Sequence, residues 1–222
     1  MYKEAIQDAI STNELPSEWS SALLNEAEHV AQKKKTAKYR KDLRKLPFVT
    51  IDGEDAKDFD DAIYCVKNTS GYRLYVAIAD VSFYVEANSK LDKEAKKRGT
   101  SIYFPETVIP MLPENLSNGI CSLRPNEDRC SMICEMSIDL DGTRKKYKFY
   151  SGLINSKARL TYNQVEKHFK KSSSIKQSIV RESIKHLFDL TNVRLKLRNQ
   201  RRALEINPTE AILELNKNKE VN

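Results

Sequence analysis

Apolar positions near the amino terminus follow the spacing of α-helices. Helical patterns cover residues 3–10 and 18–36, and Ser17 is available as the N-cap of the second. The residues that recur at helical intervals in the second pattern are Trp19, Leu23, Leu24 and Ala27. The basic run KKKTAKYRKDLRK at residues 33–45 follows, and a solvated connector that also offers contacts to phosphates is its expected role. We therefore predict a helical lead-in and basic connector over residues 1–45.

Runs of apolar and β-branched residues take over after residue 45 and predict β-strands. The predicted strands cover residues 46–52, 61–66, 73–80, 129–139 and 146–155. The NTSG run at residues 68–71 supplies a turn between the second and third strands. Asp141–Gly142 lies between the last two strands and is the strongest hairpin signal in the chain.

Further helices are predicted among and after these strands. LDKEAKKRG at residues 91–99 forms a short helix that ends at Gly99. LTYNQVEKHF at residues 160–169 begins a second helix, and a long basic helix follows to about residue 204. Residues 101–123 contain three prolines, so a loop with short extended pieces is expected there. The predicted fold class is α+β, with a mixed, largely antiparallel sheet flanked by helices.

Composition narrows the class of protein. The 222 residues are 40% hydrophobic and 31% charged, as expected for a folded soluble protein. No stretch approaches the roughly 18 consecutive apolar residues of a membrane span, and the first residues lack the pattern of a secretory signal. The four cysteines have neither the spacing of a zinc site nor the density of a disulfide scaffold. We expect a reduced, cytoplasmic protein without membrane attachment.

Charge is divided unequally along the chain, whose net charge is +7. From residue 142 onward, 19 lysines and arginines stand against 7 acidic residues, whereas the first 141 residues carry 19 against 24. An acidic segment followed by a basic region suits a protein that binds polyanions and metal cations. A solvated basic helix face is the alternative interpretation.

The acidic stretch TIDGEDAKDFDD at residues 50–61 leads directly into a predicted strand. An EF-hand calcium loop does not fit, because the required glycine and glutamate positions are occupied by other residues. An acidic surface turn stays open on composition alone. A magnesium site for phosphodiester chemistry also fits, because a rigid strand would hold several carboxylates. In an extended segment Asp58 and Asp60 project from one face and Asp61 from the other. The candidate ligands are Asp52, Asp58, Asp60 and Asp61.

Several motifs resemble the catalytic domain of the ribonuclease II superfamily, the RNB-type domain. The family pattern T-x-D-x₅-D-x-D-D falls on residues 50–61 without a gap. The other segments that carry the resemblance, in order, are YVAIADVSFYV, RGTSIYFPETVIPMLPENLSNGICSL and KARLTY. The resemblance covers about residues 45–170 nearly continuously.

This resemblance implies a Mg²⁺-dependent 3′-to-5′ exoribonuclease. Such an enzyme hydrolyses single-stranded RNA to nucleoside 5′-monophosphates with a metal-activated water. Asp52, Asp58 and Asp61 are implied to hold Mg²⁺, and Asp60 is the residue most closely tied to the chemical step, besides being a candidate ligand. Single-stranded RNA is the implied partner, with no obligate protein partner evident. RNA binding without catalysis is the alternative.

Other residues are candidates for contacts around the acidic stretch. The resemblance implies that Tyr103 stacks near the 3′-terminal nucleotide, with packing beside Pro105 as the alternative. Tyr162 is a second candidate for RNA binding, or else a core residue. Asp80 either orients a ligand or a basic side chain, or caps a strand end. Two loop residues either contact phosphates or pair with neighbouring acids, namely Arg124 and Arg129.

The family pattern continues beyond what this sequence contains. A segment of the type His-x-x-x-Pro-x-Arg-Arg, which supplies an arginine to the family's site, does not occur here, and the family's OB-type RNA-binding domains are not visible. We therefore expect residues 46–222 to form the N-terminal portion of an RNB-type catalytic domain, truncated at its C-terminal end. Without that arginine the phosphate would lack one neutralising charge, which is the reason to keep the non-catalytic alternative.

Overall fold

A computed structural model of the chain describes residues 2–32, 38–105, 107–171 and 175–204. The strands of its main sheet are β1 (Lys41–Asp42), β2 (Val49–Asp52), β3 (Asp61–Asn68), β4 (Gly71–Ala79), β7 (Asp128–Asp139), β8 (Arg144–Asn155) and β9 (Ala158–Thr161). A separate hairpin consists of β5 (Ile102–Phe104) and β6 (Thr107–Ile109). Among the described residues, the seven main strands lie side by side in the order β1-β8-β7-β4-β3-β2-β9.

The helices lie between and after these strands. They are α1 (Tyr2–Thr12), α2 (Ser21–Ala31), α3 (Val81–Tyr84), α4 (Lys90–Arg98), α5 (Tyr162–Lys171) and α6 (Ser178–Gln200). A π-helical segment, Asn115–Ile120, lies in the proline-containing loop. No helix in the described parts of the chain has both the length and the apolar character needed to cross a bilayer.

The sheet is mixed but largely antiparallel, as predicted. β3, β4, β7 and β8 pair antiparallel in succession, whereas β1 pairs in parallel with β8 and β2 in parallel with β9. The turn between β7 and β8 contains Gly142 with a φ of +88°, a conformation that favours glycine. The hairpin signal at Asp141–Gly142 is therefore confirmed.

The core consists of helices packed on the sheet. Val180 and Ile184 of α6 are buried against Val49 of β2 and Leu160 of β9. At the other end of the sheet, Leu23 and Ala27 of α2 pack with Leu91 and Leu116. Each fully buried large aliphatic side chain contributes about 1.5–3 kcal/mol to folding. This packing fixes the strands that hold the acidic stretch.

The structure corrects some local predictions. α2 begins at Ser21, not after Ser17, because the side chain of Ser20 accepts a hydrogen bond from the Leu23 backbone N–H and acts as the N-cap. The predicted connector contains β1, and β9 precedes α5 where a continuous helix start was expected. The predictions made for residues 33–37, 172–174 and 205–222 concern parts of the chain outside the described residues.

Candidate active site

The acidic stretch spans the end of β2 and the start of β3. Asp52 is the last residue of β2, and Asp61 is the first of β3. The backbone carbonyl of Asp60 accepts a hydrogen bond of 2.8 Å from the Ala79 N–H of β4. The carboxylates are thus attached to backbone that the central strands hold in place.

Ser122 fixes the loop that carries Asp58. This serine is fully buried, and its hydroxyl donates to the Lys57 carbonyl at 2.9 Å and accepts from the Phe59 N–H at 3.0 Å. The Leu123 N–H donates to the Phe59 carbonyl at 2.9 Å. These hydrogen bonds fix the backbone of Lys57 and Phe59, the two neighbours of Asp58. They therefore restrict the position of the Asp58 carboxylate.

Arg159 of β9 fixes the other half of the loop. Its Nη2 donates to the carbonyls of Gly53 at 2.9 Å and Glu54 at 2.5 Å. Its guanidinium also lies 5.6 Å from the centre of the Phe59 ring. Sequence reasoning did not single out Arg159 or Ser122, although both lie in segments that carried the family resemblance, KARLTY and NGICSL.

An open cavity of about 1510 Å³ lies beside this loop. Among its lining residues are Asp52, Asp58, Asp60, Tyr103, Phe104 and Arg124. Asp61 does not line the cavity, in keeping with the alternation of side chains along an extended segment. Three of the four candidate aspartates therefore face one solvent-accessible space.

Burial and neighbouring carboxylates raise the pKa of Asp60 and Asp61. Partial burial raises the pKa of Asp60, and the nearby charges of Asp58, Asp61 and Asp52 raise it further. Partial burial also raises the pKa of Asp61, with Asp52 as the neighbouring charge. Repulsion of this kind indicates an excess of negative charge that a bound cation would relieve.

The four carboxylates suit a hard divalent cation in chemistry but do not form a closed cage. Among the described residues, no three acidic, histidine or cysteine side chains converge in a way that would hold a metal ion. Mg²⁺ is usually held by one or two carboxylates together with waters and substrate phosphates. The residues present therefore fit a magnesium site that is completed by water and substrate.

Tyr103 lies directly beside the carboxylates. Its side chain is 66% exposed, and its hydroxyl donates to Oδ2 of Asp58 at 3.3 Å. Burial of the hydroxyl and the charge of Asp58 raise the pKa of Tyr103, so the phenol stays protonated. A ring this exposed is not core packing, and its face is available for a base. Phe104 lines the same cavity and is half-buried.

Tyr162 lies outside this cavity. It is 63% exposed at the start of α5, so the expectation of a core residue is not met. Its neighbour Asn163 donates to the Glu54 carboxylate at 2.9 Å, which places the start of α5 against the acidic loop. A role for Tyr162 in RNA binding stays a prediction.

Asp80 contacts a basic side chain and not the acidic cavity. It is 5% exposed, and its Oδ2 accepts from Nη2 of Arg40 at 2.6 Å while Oδ1 accepts from the Ser82 hydroxyl at 2.8 Å. Its side chain makes no capping bond to the helix that follows. Of the roles predicted for Asp80, this geometry matches the orientation of a basic side chain.

The two candidate arginines differ in their surroundings. Arg129 is 2% exposed, pairs with Glu127 at 2.7 Å and donates to the carbonyls of Ser122 and Gly119. It therefore supports the loop, as the alternative of pairing with a neighbouring acid predicted. Arg124 is exposed in the cavity wall.

Comparisons with known proteins show which family this chain resembles. A family model described as the RNB domain matches residues 40–222. Ribonuclease R of Vibrio parahaemolyticus is 47% identical over 92% of this chain, and ribonuclease R of Escherichia coli is 46% identical over 93%. The matched regions are 25% and 26% of those proteins, so the chain spans about a quarter of their length.

A solved structure has the same fold. Mycoplasma genitalium RNase R in complex with double-stranded RNA superposes with a TM-score of 0.93 at 35% identity, covering 98% of this chain and 39% of that one. Because the family model covers most of the chain and relatives close to half identical cover nearly all of it, the chain belongs to the RNB-domain family.

Proposed function

We propose that this chain carries the carboxylate part of a 3′-to-5′ exoribonuclease site. The substrate is single-stranded RNA in the cytoplasm, and the products are nucleoside 5′-monophosphates. The observation that carries the proposal is the placement of Asp52, Asp58 and Asp60 along one open cavity with the exposed ring of Tyr103. The similarity to ribonuclease R over nearly the whole chain supports it.

Of the four candidate ligands, Asp52, Asp58 and Asp60 face the cavity and Asp61 does not. In this proposal one or two of the cavity carboxylates would hold Mg²⁺, with waters and substrate phosphate as its other ligands. When bound, the ion would supply charge neutralisation at the phosphate and an activated water for in-line attack. The residues of the chain itself hold the carboxylates in position. Ser122 and Arg159 hold the loop between Asp52 and Asp60 through its backbone, so the carboxylates are set before substrate arrives.

The cavity wall supplies the contacts to the terminal nucleotide. The ring of Tyr103 offers a face on which any base can stack, which suits an enzyme that must accept every sequence. Arg124 lies in the same wall and would contact a phosphate. Asp60 is the candidate for the proton transfer that accompanies attack, because its carboxylate is accessible in the cavity and its backbone is tied to β4.

The test uses two preparations of one single-stranded RNA, labelled at the 5′ end to follow shortening and at the 3′ end to detect released nucleotides, with Mg²⁺ or with EDTA. We expect a ladder that shortens from the 3′ end and mononucleotide products, only with Mg²⁺ and not with the Asp60→Asn variant. Asp55→Asn is the matched control, because Asp55 is an exposed acid of the same loop. Products of internal cleavage, or equal activity of both variants, would reject the proposal.

RNA binding without catalysis is the second candidate function. It is favoured by the charge of residues 142–222, which contain 19 basic and 7 acidic residues. In that case the affinity for RNA falls with salt, while no mononucleotide appears at any Mg²⁺ concentration.

A further inference from the structure

A buried carboxylate lies in the middle of the sheet, away from the acidic cavity. Glu135 of β7 is 7% exposed, and it accepts hydrogen bonds from the hydroxyls of Tyr150 at 2.7 Å and Tyr75 at 3.5 Å. Burial opposes its charge, but the bond from Tyr150 and the nearby lysines hold the pKa of Glu135 below its usual value. The carboxylate is therefore ionised at neutral pH.

Three cations from three strands surround this one carboxylate. The nitrogen-to-oxygen distances to Glu135 are 3.2 Å from Lys148, 3.6 Å from Lys41 and 3.8 Å from Arg73. The side chains of all three are at least half exposed, at 57%, 51% and 50%. One negative charge cannot neutralise three positive ones, so the group carries surplus positive charge at the surface.

The strand register adds a fourth cation to the same face. Tyr75, Glu135 and Lys148 form one row across β4, β7 and β8. The next row along the same strands is Arg73, Ser137 and Lys146, and Lys146 is exposed. Paired residues point to the same face, and alternate rows lie about 7 Å apart. We refer to Lys41, Arg73, Lys146 and Lys148 around Glu135 as the Glu135 patch.

The ring of Tyr150 lies beside two cations of the Glu135 patch. Lys41 and Lys148 lie 5.0 Å and 5.6 Å from the centre of the Tyr150 ring. The ring is half-buried and thus fixes the two ammonium groups on the rigid sheet. None of the residues of the patch lines the acidic cavity.

Three other exposed lysines differ, because each of them pairs with a carboxylate. Lys96 pairs with Asp92, Lys145 with Asp139 and Lys170 with Glu166. Lys145 belongs to β8, as Lys146 and Lys148 do. These pairs have little charge to offer a ligand, whereas the Glu135 patch has two or three uncompensated cations.

We propose that the Glu135 patch binds the phosphate backbone of RNA, as a docking surface separate from the acidic cavity. This inference rests on the proposed function, since it takes RNA as the ligand. Lysine and arginine contacts to phosphate carry no sequence preference, which matches a surface without base-reading side chains. The buried Glu135 holds the cations in place without neutralising them.

The first test compares two triple variants with the same loss of charge. Lys41→Gln/Arg73→Gln/Lys148→Gln removes the three cations of the patch that lie nearest to Glu135, and Lys96→Gln/Lys145→Gln/Lys170→Gln removes paired lysines elsewhere. Affinity for a single-stranded oligouridylate is measured in EDTA at several salt concentrations, after circular dichroism has verified folding. The patch variant is expected to flatten the slope of log K against log salt by about 2, for three lost phosphate contacts. The control variant should keep the slope of the unmodified chain.

A second variant changes the charge in the opposite direction. Glu135→Gln leaves every cation and keeps an acceptor for Tyr150, so the patch gains one net positive charge. We expect tighter RNA binding by several-fold and a steeper salt dependence. A purely structural network predicts no such gain.

The outcomes separate this inference from the proposed function. If the unmodified chain binds RNA and both triple variants keep its salt slope, the patch is not an RNA surface, although the proposed function stands. If the patch variant loses binding to polyglutamate but not to RNA, the ligand is an acidic protein segment and the inference is wrong. If the unmodified chain does not bind RNA, both the inference and the proposed function fail.

Discussion

The hydroxyl of Tyr103 lies 3.3 Å from Oδ2 of Asp58, which joins the β5–β6 hairpin to the acidic loop. The two residues are 45 positions apart in the sequence. This bond sets the exposed ring of Tyr103 at the edge of the carboxylate cluster, which is where the proposed function places the last nucleotide of an RNA strand.

Two substitutions at Tyr103 separate stacking from hydrogen bonding. Tyr103→Ala removes the ring and should weaken RNA binding by about 1–3 kcal/mol, or roughly 5-fold to 150-fold. Tyr103→Phe keeps the ring and loses only the bond to Asp58, so its affinity should stay within about twofold of the unmodified chain. Fluorescence anisotropy in EDTA measures both. Equal loss in the two variants would show that the hydroxyl, and not stacking, matters.

Ser122→Ala should loosen the loop that carries Asp58. It leaves the Phe59 N–H and the Lys57 carbonyl without their shared partner, which costs about 1–3 kcal/mol of unfolding free energy. Urea denaturation measures this loss. Ser117→Ala is the control, because Ser117 lines the same cavity but its hydroxyl donates to the adjacent Asn118 side chain and not to the loop of Asp58. Equal stability of the two variants would contradict the assigned role of Ser122.

The buried pair Arg40–Asp80 should be strongly coupled. Asp80→Ala leaves the Arg40 guanidinium, whose side chain is 7% exposed, without its carboxylate, and should cost about 3–5 kcal/mol. The double variant Arg40→Met/Asp80→Leu should lose less free energy of unfolding than either single variant, because no unpaired charge remains buried. The exposed pair Arg44–Asp42 is the control, and its removal should change the free energy of unfolding far less, because both side chains stay solvated. Additive single and double effects in urea denaturation would contradict this prediction.

Burial and the neighbouring aspartates should make the charged form of Asp60 unfavourable for folding of the metal-free chain at neutral pH. Because the pKa of Asp60 is raised in the folded state, this carboxyl holds its proton more tightly in the folded than in the unfolded chain, and its contribution to stability is lost as the pH rises through the folded pKa. Asp60→Asn should therefore raise the melting temperature at pH 7 in EDTA. Solvent screening limits the gain to about 1 kcal/mol, or roughly 2–4 °C.

Thermal denaturation of the unmodified chain and of Asp60→Asn at pH 4 checks this prediction. The advantage of Asp60→Asn should shrink there, because the native carboxyl becomes protonated as the pH falls through its folded pKa. An advantage that is equal at both pH values would mean that the asparagine stabilises the chain for a reason other than charge.

Local patterns predicted much of the sheet. β3, β4 and the β7–β8 hairpin were expected from their apolar runs and from the turn at Asp141–Gly142. β1 and β9 were not, because both pair in parallel with strands that are distant in sequence. Parallel pairing leaves no turn signal in the intervening residues, and β1 lies within a run of charged residues.

The candidate site, like the sheet, could be predicted from the sequence only in part. The spacing of the four aspartates predicted an acidic cluster, since residues this close in the sequence leave a short-range pattern. Ser122, which is 63 residues from Phe59, and Arg159, which is 106 residues from Gly53, contact the loop only because the fold brings them there. No sequence pattern of their own marks contacts of this range. Asp80 was identified as a candidate, but its partner Arg40 was not, for the same reason.

We propose that the aspartates of the cavity bind a divalent cation. Calorimetric titration of the chain with Mn²⁺, as a probe for Mg²⁺, tests this without requiring catalysis. We expect saturable binding that weakens at least about tenfold in Asp58→Asn and in Asp60→Asn and stays unchanged in Asp55→Asn. Absence of saturable binding, or the same affinity in all three variants, would contradict the account.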